Sequence, residues 1–557
     1  MRTHAQTVAY FSMEIGVDSH IPTYSGGLGV LAADTIRSSA DLGVPMVAVT
    51  LIYKKGYFRQ KLDAQGQQQE FPSDWKPTNF FKLISEKVSV AIEGRTVYIQ
   101  AWEYLVQGIK GKSIPIIFLD TDIPENSDYD RTLSYYLYGG DAKYRLAQEA
   151  ILGIGGVRML QKLGYHDINR YHMNEGHASL LTLELLNQFK KDKELDWDLD
   201  AVKRMCVFTT HTPVPAGHDQ FSYDLVRQVL GEIIPFDFLK IIGGQQKLNM
   251  TFLALNLSYY VNGVAREHGK ISREMFPGYR IDYITNGVHS STWICSYFKK
   301  LYDQYIPGWR SDPFSFRYAL SIPGDKIWNA HQAAKKKLID YINHKTSSQL
   351  DLEVLTIGFA RRATAYKRAD LFFWDIERLI NIAKNTKNIQ CIFAGKAHPK
   401  DEPGKELIRK IAAAAKQLNG KIKIVYLSNY DIASAKILVS GVDLWLNTPR
   451  KPKEASGTSG MKAAHNGIPS LSILDGWWIE GCVEGLTGWA IGSIYDKESD
   501  DSEDADSLYY KLENIIIPKF YYHRNQWIDV MRHAIAINAS FFNTHRMIQQ
   551  YVLNAYY

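Results

Sequence analysis

The nine residues Glu454-Ala455-Ser456-Gly457-Thr458-Ser459-Gly460-Met461-Lys462 set small, backbone-exposing residues between a carboxylate and a lysine, where the pattern predicts a helix start. Such a loop points several N–H groups at one spot beside the positive end of a helix dipole, so a phosphate or a sugar can sit there. The lysine follows in the first helical turn, within reach of whatever the loop holds. On physics alone the segment reads as a phosphate cradle with a reactive amine beside it; the alternative is a Gly/Ser turn before a surface helix. A second segment, Gly358 to Arg368, follows a strand-like run and concentrates four cations (Arg361, Arg362, Lys367, Arg368) within eight residues. At the C-terminal end of a strand these would face a ligand crevice, where a solvated basic turn would not. Gly26-Gly27-Leu28-Gly29 opens a predicted helix and can present backbone N–H groups to anionic oxygen, although a GGxG element alone is weak evidence. Thr209 to Pro215 follows another strand-like run, and its His211 can be a base, a ligand or a packed core side chain.

These segments need a scaffold. At 557 residues, with 45% hydrophobic and 22% charged residues, the chain has the composition of a globular protein too long for one ordinary core. Apolar runs alternate with amphipathic segments, which predicts α/β architecture with largely parallel sheets. In the first half, strands are expected at Val8 to Met13, Val44 to Tyr53, Ile114 to Leu119, Asn169 to Met173 and Met205 to Thr210. A helix should run to Leu42 and stop at Gly43, and Val88 to Trp102 should form a hairpin turning at Glu93-Gly94. A second α/β block begins near Leu352, with strands at Val354 to Phe359, Ile389 to Ala394, Ile422 to Leu427 and Leu444 to Leu446. Helices are expected over Asp370 to Ala383 and Gly404 to Gln417, a helical connector from His289 to about Asp351, and helical periodicity from Asn525 onward. The division predicted is 1–287 as an N-terminal domain, 288–524 as a C-terminal domain, and 525–557 as a helical segment returning to the first domain.

No stretch of about 18 uncharged apolar residues occurs, so no membrane span is expected. The N-terminal residues lack the apolar run of a signal peptide. The net charge of +6 is spread without a long basic run, which gives little support for nucleic-acid binding. The acidic block from Asp496 to Asp506 reads as a solvated loop. Cys206, Cys295, Cys391 and Cys482 show no metal or redox spacing, and His166, His172 and His177 form no convincing zinc set, so no metal is expected. A cytoplasmic protein is the simplest account of these features.

Glu-Ala-Ser-Gly-Thr followed closely by Met-Lys resembles the pyridoxal-phosphate lysine motif of the α-glucan (glycogen, starch and maltodextrin) phosphorylases. Asn447-Thr448-Pro449-Arg450, then Glu454 to Lys462, then Leu474-Asp475-Gly476-Trp477-Trp478, is similar to their shorter bacterial and archaeal branch, and the similarity runs from Tyr10 to about Trp478. The resemblance implies the GT-B fold: two doubly wound Rossmann-like domains facing a central cleft, with the last helix crossing back. It implies that pyridoxal 5′-phosphate is carried on Lys462, with Thr458, Ser459, Gly460 and Arg361 at its phosphate. It assigns Arg362 and Lys367 to substrate phosphate, Gly26, Gly27 and Leu28 to phosphate and the neighbouring sugar, and Tyr366 to the face of the sugar. Asn286, Glu454, Ser456 and Gly457 fall at the glucose, and the main-chain carbonyl of His211 faces its C1 while the ring contacts a hydroxyl. Arg361 stands where the longer enzymes have lysine, which keeps the charge and changes the donor geometry. Ser459-Gly460 stands where they have Gly-Asn, and Gly16 replaces an aromatic residue near the cofactor.

The activity so implied is retaining phosphorolysis of α-1,4-glucans to α-D-glucose 1-phosphate, in a homodimer without the N-terminal regulatory extension and phosphorylation switch of the animal enzymes. Two rivals differ in chemistry. A nucleotide-sugar glucosyltransferase shares the GT-B fold but usually carries a lysine before the paired glycines, where this chain has Ser25. A silent glucan-binding protein could use the 34 Tyr and 12 Trp as stacking platforms, although aromatics at this frequency also fill cores.

Overall fold

The computed structural model describes residues 7–190 and 197–557. Met1 to Gln6, part of the N-terminal stretch in which no signal peptide is expected, lie outside the described residues. The chain forms two compact units. The first takes in the chain up to Phe58, then Pro72–Ile284 and Met547–Tyr557; the second is Arg59–Phe71 with Thr285–Arg546. Among the described residues no helix is long and apolar enough to cross a membrane.

A nine-stranded sheet forms the first unit. From one edge its strands run Asp282–Tyr283, Tyr260–Gly263, Cys206–Thr209, Ile168–Asn174, Thr7–Ser12, Met46–Leu51, Ser113–Asp120, Arg95–Gln107 and Lys82–Ile92. The first seven are parallel to one another, and the last two are antiparallel additions at the far edge. Met46–Leu51 is buried at all six positions, as a parallel strand covered on both faces requires. The hairpin turns at Glu93 and Gly94, whose φ values of 51° and 72° belong to the turn family that follows strand twist. The helix Gly27–Leu42 ends at Gly43, at φ 74°, where only glycine avoids a Cβ penalty. The chain's last residues pack on this sheet. The Tyr551 hydroxyl meets Thr209 Oγ1 at 3.1 Å and accepts from Asn262 Nδ2 at 3.0 Å, and Tyr556 Oη lies 2.8 Å from His172 Nδ1.

The second unit holds a six-stranded, fully parallel sheet in the order Lys423–Leu427, Ile389–Ala394, Leu355–Ala360, Leu444–Asn447, Ser470–Ile473, Gly488–Ile491. Numbered along the chain this is 3-2-1-4-5-6, the doubly wound Rossmann order. Such sheets bind ligands beyond the strand C-termini where the order reverses. Here the reversal lies between Leu355–Ala360 and Leu444–Asn447, so the residues after Ala360 and after Asn447 share one crevice. The parallel part of the first sheet reverses in the same way between Thr7–Ser12 and Ile168–Asn174.

Four expectations change in detail. Asp370 to Ala383 is not one helix: a short 3₁₀ turn at Leu371–Phe373 gives way to a helix Ile376–Asn385, because Asp375 caps the Arg378 N–H instead of continuing the turn. The connector after His289 is three helices, Ser290–Trp293, Ser296–Tyr305 and Gly324–Thr346, with a 3₁₀ stretch between the last two. The acidic block is a solvated loop only over its first part, Asp496 to Asp500. Asp500 caps a helix Asp501–Lys511, and Asp501 and Asp504 pair with Arg368 at 2.7 Å each. Arg368 also donates to the Thr448 and Pro449 carbonyls, so it staples the two strand ends instead of facing the crevice with the other cations.

A fully buried ion pair fixes the start of the first strand of this sheet. Asp443 accepts from Lys335 Nζ at 2.6 Å and from the Thr356 N–H at 2.7 Å, with His331 Nε2 at 2.7 Å. Removing the carboxylate would strand a buried ammonium. Asp443→Ala should therefore destabilise the second unit by about 3–5 kcal/mol, seen as an earlier transition in chemical denaturation; an unchanged midpoint would refute this account of the sheet.

Candidate active site

Two segments meet beyond the reversal point of the second sheet. Arg361 Nη2 donates to Glu454 Oε2 at 2.7 Å, and Lys367 Nζ donates to the same oxygen at 2.5 Å. All three side chains are at most 10% exposed. Burial alone would raise the Glu454 carboxyl, but the Arg361 and Lys367 charges outweigh it and hold its pKa at about 2. Two cations facing one carboxylate leave the crevice net positive. Beside them Arg361 Nη1, Thr364 Oγ1 and Ser456 Oγ are buried with no partner among the described residues. Buried polar atoms are ordinarily paired, so this set of donors is arranged for an oxygen-rich group that is not part of the chain. Tyr366 packs its ring 4.4 Å from Lys367 Nζ, and Arg362, also in this loop, is exposed.

The loop Glu454 to Thr458 leads into a helix, Ser459–Ala464, that carries Lys462. Lys462 is buried, and its Nζ stands 3.9 Å from the centre of the Trp293 ring. Asn466 locks this arrangement, donating to the Trp293 and Lys462 carbonyls at 3.0 Å each while accepting from the Cys295 N–H at 2.9 Å. Asn286, also of the second unit, is buried with its Oδ1 unpartnered among the described residues.

Gly26, Gly27, Leu28 and His211 belong to the first unit. Glu14 accepts from the Ser25 and Gly26 N–H groups at 2.5 and 3.2 Å and from Tyr138 Oη at 2.9 Å, which pins the glycine loop. A Cβ at Gly29 would meet Glu14 Oε2 at 2.7 Å and Tyr24 Cβ at 2.8 Å, whereas Gly26 and Gly27 face open space. His211 is fixed by its backbone N–H to Glu175 Oε2 at 2.7 Å and by its Nε2 against Asn174 Oδ1 at 2.7 Å. Burial pushes its imidazole down to about 3, so the ring is neutral and is no proton reservoir near neutrality.

The carbohydrate phosphorylase family model matches residues 19–133 and 235–484. The chain is 41% identical to a maltodextrin phosphorylase of Thermococcus litoralis, over 98% of this chain and 70% of that one. It is 35% identical to a glycogen phosphorylase of Aquifex aeolicus, over 100% of this chain and 86% of the relative, and 36% identical to one of Mycobacterium tuberculosis, over 99% and 70%. The chain belongs to the carbohydrate phosphorylase family. It is therefore an enzyme of the glycosyltransferase class.

The phosphorylase also explains one of its own departures. A Cβ at Gly460 would lie 2.7 Å from Trp477 Cζ2 and 2.9 Å from Ser470 Oγ, so the helix can carry only glycine there. Ser459 Oγ is likewise occupied, accepting from Trp445 Nε1 at 3.1 Å. Sequence reasoning gave no role to Trp293, Glu14 or Asp475, whereas Met173 to His177, with Glu175, matches a family segment expected to organise the cleft rather than react. Asp475 holds the loop by accepting from the Glu454 and Gly476 N–H groups at 2.8 Å each. Its only sequence signal is the acidic residue in Leu474 to Trp478; Trp293 shows no signal beyond being an isolated aromatic.

Burial, with the Glu454 charge beside it, pushes Asp475 up to about 7, against the backbone N–H bonds that favour ionisation. The folded value lies above the unfolded carboxylate's, at about 4. The protonated side chain thus contributes stability in full below about pH 4, and this is lost as pH rises through about 7. Isotope-edited infrared titration should place the Asp475 carboxyl near neutrality, and Glu454→Gln should lower that midpoint. A midpoint near 4 in the parent would contradict the electrostatics described here.

Proposed function

We propose that the protein is an α-glucan phosphorylase. It cleaves the terminal α-1,4 bond at the non-reducing end of a glucan with inorganic phosphate and releases α-D-glucose 1-phosphate with retained configuration. The observation that carries this reading is the convergence of Arg361 and Lys367 on Glu454, with the loop to the buried Lys462 starting from that same carboxylate. On this reading the chain carries the GT-B fold, with 1–287 and 288–524 as its two Rossmann-like domains and 525–557 as the helical segment returning to the first. The homodimer and the glucan substrate come from the same family resemblance, and the relatives' names, maltodextrin and glycogen phosphorylase, point to the same substrate class.

The residues present fit pyridoxal 5′-phosphate. Lys462 would carry it, with Trp293 against it and Arg361, Thr458, Ser459 and Gly460 at its phosphate, and the unpartnered Arg361 Nη1 and Thr364 Oγ1 suit such oxygens. When bound, the cofactor supplies a phosphate that exchanges a proton with the substrate phosphate. The protein's own groups do the positioning. Lys367 and Arg362 hold the substrate phosphate against its repulsion from a second phosphate. Gly26, Gly27 and Leu28 supply backbone donors to phosphate and the neighbouring sugar, while Tyr366 lies along the glucose. Asn286, Glu454, Ser456 and Gly457 bind its hydroxyls. Substrate phosphate protonates the glycosidic oxygen, the C1–O bond breaks, and the same phosphate bonds to C1 from the face the glucan left. The His211 carbonyl faces the cationic C1, and its neutral ring adds no opposing charge. Rate enhancement then comes from orientation and preorganised electrostatics.

Two variants test the reading. Lys462→Ala should form no borohydride-reducible adduct with pyridoxal phosphate and should not release glucose 1-phosphate from maltodextrin. Lys367→Ala should raise KM for phosphate by about tenfold or more, the loss expected for one charge-assisted hydrogen bond. Full turnover by Lys462→Ala, or an unchanged phosphate KM in Lys367→Ala, would overturn the assignment.

A further inference from the structure

Asn286 is buried near the start of the main stretch of the second unit, and Thr285 to Val288 belong to no helix or strand. A side chain that must meet a ligand from such a segment depends on something else to fix its backbone. Arg546, 260 residues further along the chain and in the same unit, does this. Its Nη1 donates to the Thr285 carbonyl at 2.6 Å and its Nη2 to the Asn286 carbonyl at 3.0 Å, while Nε donates to the Phe541 carbonyl at 3.0 Å. The guanidinium also lies 4.6 Å from the centre of the Phe541 ring. A planar fork with donors in fixed relation can bridge two successive carbonyls, which a single ammonium cannot do. The neighbouring backbone is paired as well: the Val288 N–H donates to the Phe542 carbonyl at 3.2 Å, and the Thr544 N–H to the Val288 carbonyl at 3.0 Å. Gly287 permits this approach, since a Cβ there would lie 2.3 Å from the Asn543 carbonyl carbon. Asn543 Oδ1 in turn accepts from the Arg546 N–H at 2.9 Å, and Thr285 Oγ1 donates to Glu480 Oε2 at 2.9 Å.

We propose that Arg546 is a positioning residue for sugar recognition: by holding the Thr285 and Asn286 carbonyls it aims the Asn286 amide oxygen at a glucose hydroxyl. That oxygen is buried and unpartnered among the described residues, as an acceptor kept for a ligand's O–H would be. An asparagine side chain has few rotamers, and their directions follow from the backbone that carries it. Releasing the two carbonyls therefore lets the amide lose its aim without touching the sugar directly. Three donors of Arg546 are committed to main-chain carbonyls, so its effect on the sugar passes through Asn286. The inference rests on the reading of Asn286 as a glucose-binding residue and adds to it a residue that no sequence pattern singled out.

Initial rates of glucan extension from glucose 1-phosphate, with pyridoxal phosphate present, test it in the full chain as a double-mutant cycle. Asn286→Ala should raise KM for glucose 1-phosphate by about tenfold, the loss of one hydrogen bond at a buried site. Arg546→Ala should raise it by about three- to tenfold, and KM for inorganic phosphate in phosphorolysis should stay within about twofold of the parent's. Because one residue acts through the other, the double variant should be no weaker than Asn286→Ala alone. Arg546→Lys keeps the charge but not the fork and should behave as Arg546→Ala, and it serves in its place if the alanine variant does not fold. An unchanged glucose 1-phosphate KM in Arg546→Ala, additive losses in the double variant, or an equal rise in the phosphate KM would overturn the proposal. So would full recovery by lysine, which means that charge alone matters. A parent that consumes no glucose 1-phosphate, or a parental KM in Asn286→Ala, would overturn the reading of the site itself, and this inference with it.

Discussion

One carboxylate shared by two buried cations organises the second unit's chemistry. Glu454 can sit between Arg361 and Lys367 only because both sequence segments leave parallel strands at the point where strand order reverses. Neither cation would tolerate burial without it, and its own carboxyl stays ionised only because they are there. The surrounding fold serves this meeting. Asp443 anchors the start of Leu355–Ala360, Arg368 clamps the ends of the two strands, and Asp475 fixes the backbone of Glu454 itself. Net positive charge left over in the crevice, with unpaired donors around it, makes the site receptive to phosphate and sugar oxygens.

The first unit repeats the logic with different chemistry. Glu14 follows its first strand and Glu175 its fourth parallel one, at the reversal of the other sheet. Each carboxylate binds backbone N–H groups instead of cations, one fixing the glycine loop and the other fixing His211. Glu175 takes up φ 79°, an unusual conformation for a residue with a side chain, and the bonds it makes to the Gly176 and His211 N–H groups and to Thr212 Oγ1 hold it there. Loops held this way are in place before a ligand arrives.

Much of this was legible in the residues. Largely apolar runs such as Ile389–Ala394, interrupted only by Gln390, declare buried parallel strands, Gly43 marks a helix stop and Glu93-Gly94 a hairpin turn. The cation segment and the Glu454 to Lys462 loop were visible because charge and glycine concentrate there. What escaped depends on partners far along the chain. The acidic block looked solvated because Arg368, more than a hundred residues earlier, is what draws Asp501 and Asp504 inward. Trp293 carries no local pattern and Asp475 only its place in Leu474 to Trp478, and their positions against Lys462 and Glu454 exist only after folding. The assignment of residues 59–71 to the second unit is equally tertiary: Gln60 and Asn429 exchange backbone-to-side-chain bonds across that distance. Ser459-Gly460 read as a departure from a familiar motif, and the tight approach of Trp477 supplies its reason.

The most direct measurement is ³¹P NMR of the protein mixed with maltodextrin and inorganic phosphate, with and without pyridoxal phosphate. The account requires α-glucose 1-phosphate to accumulate only when phosphate and cofactor are both present. Equal turnover without the cofactor, or glucosyl transfer from a nucleotide sugar with no phosphate consumed, would contradict it.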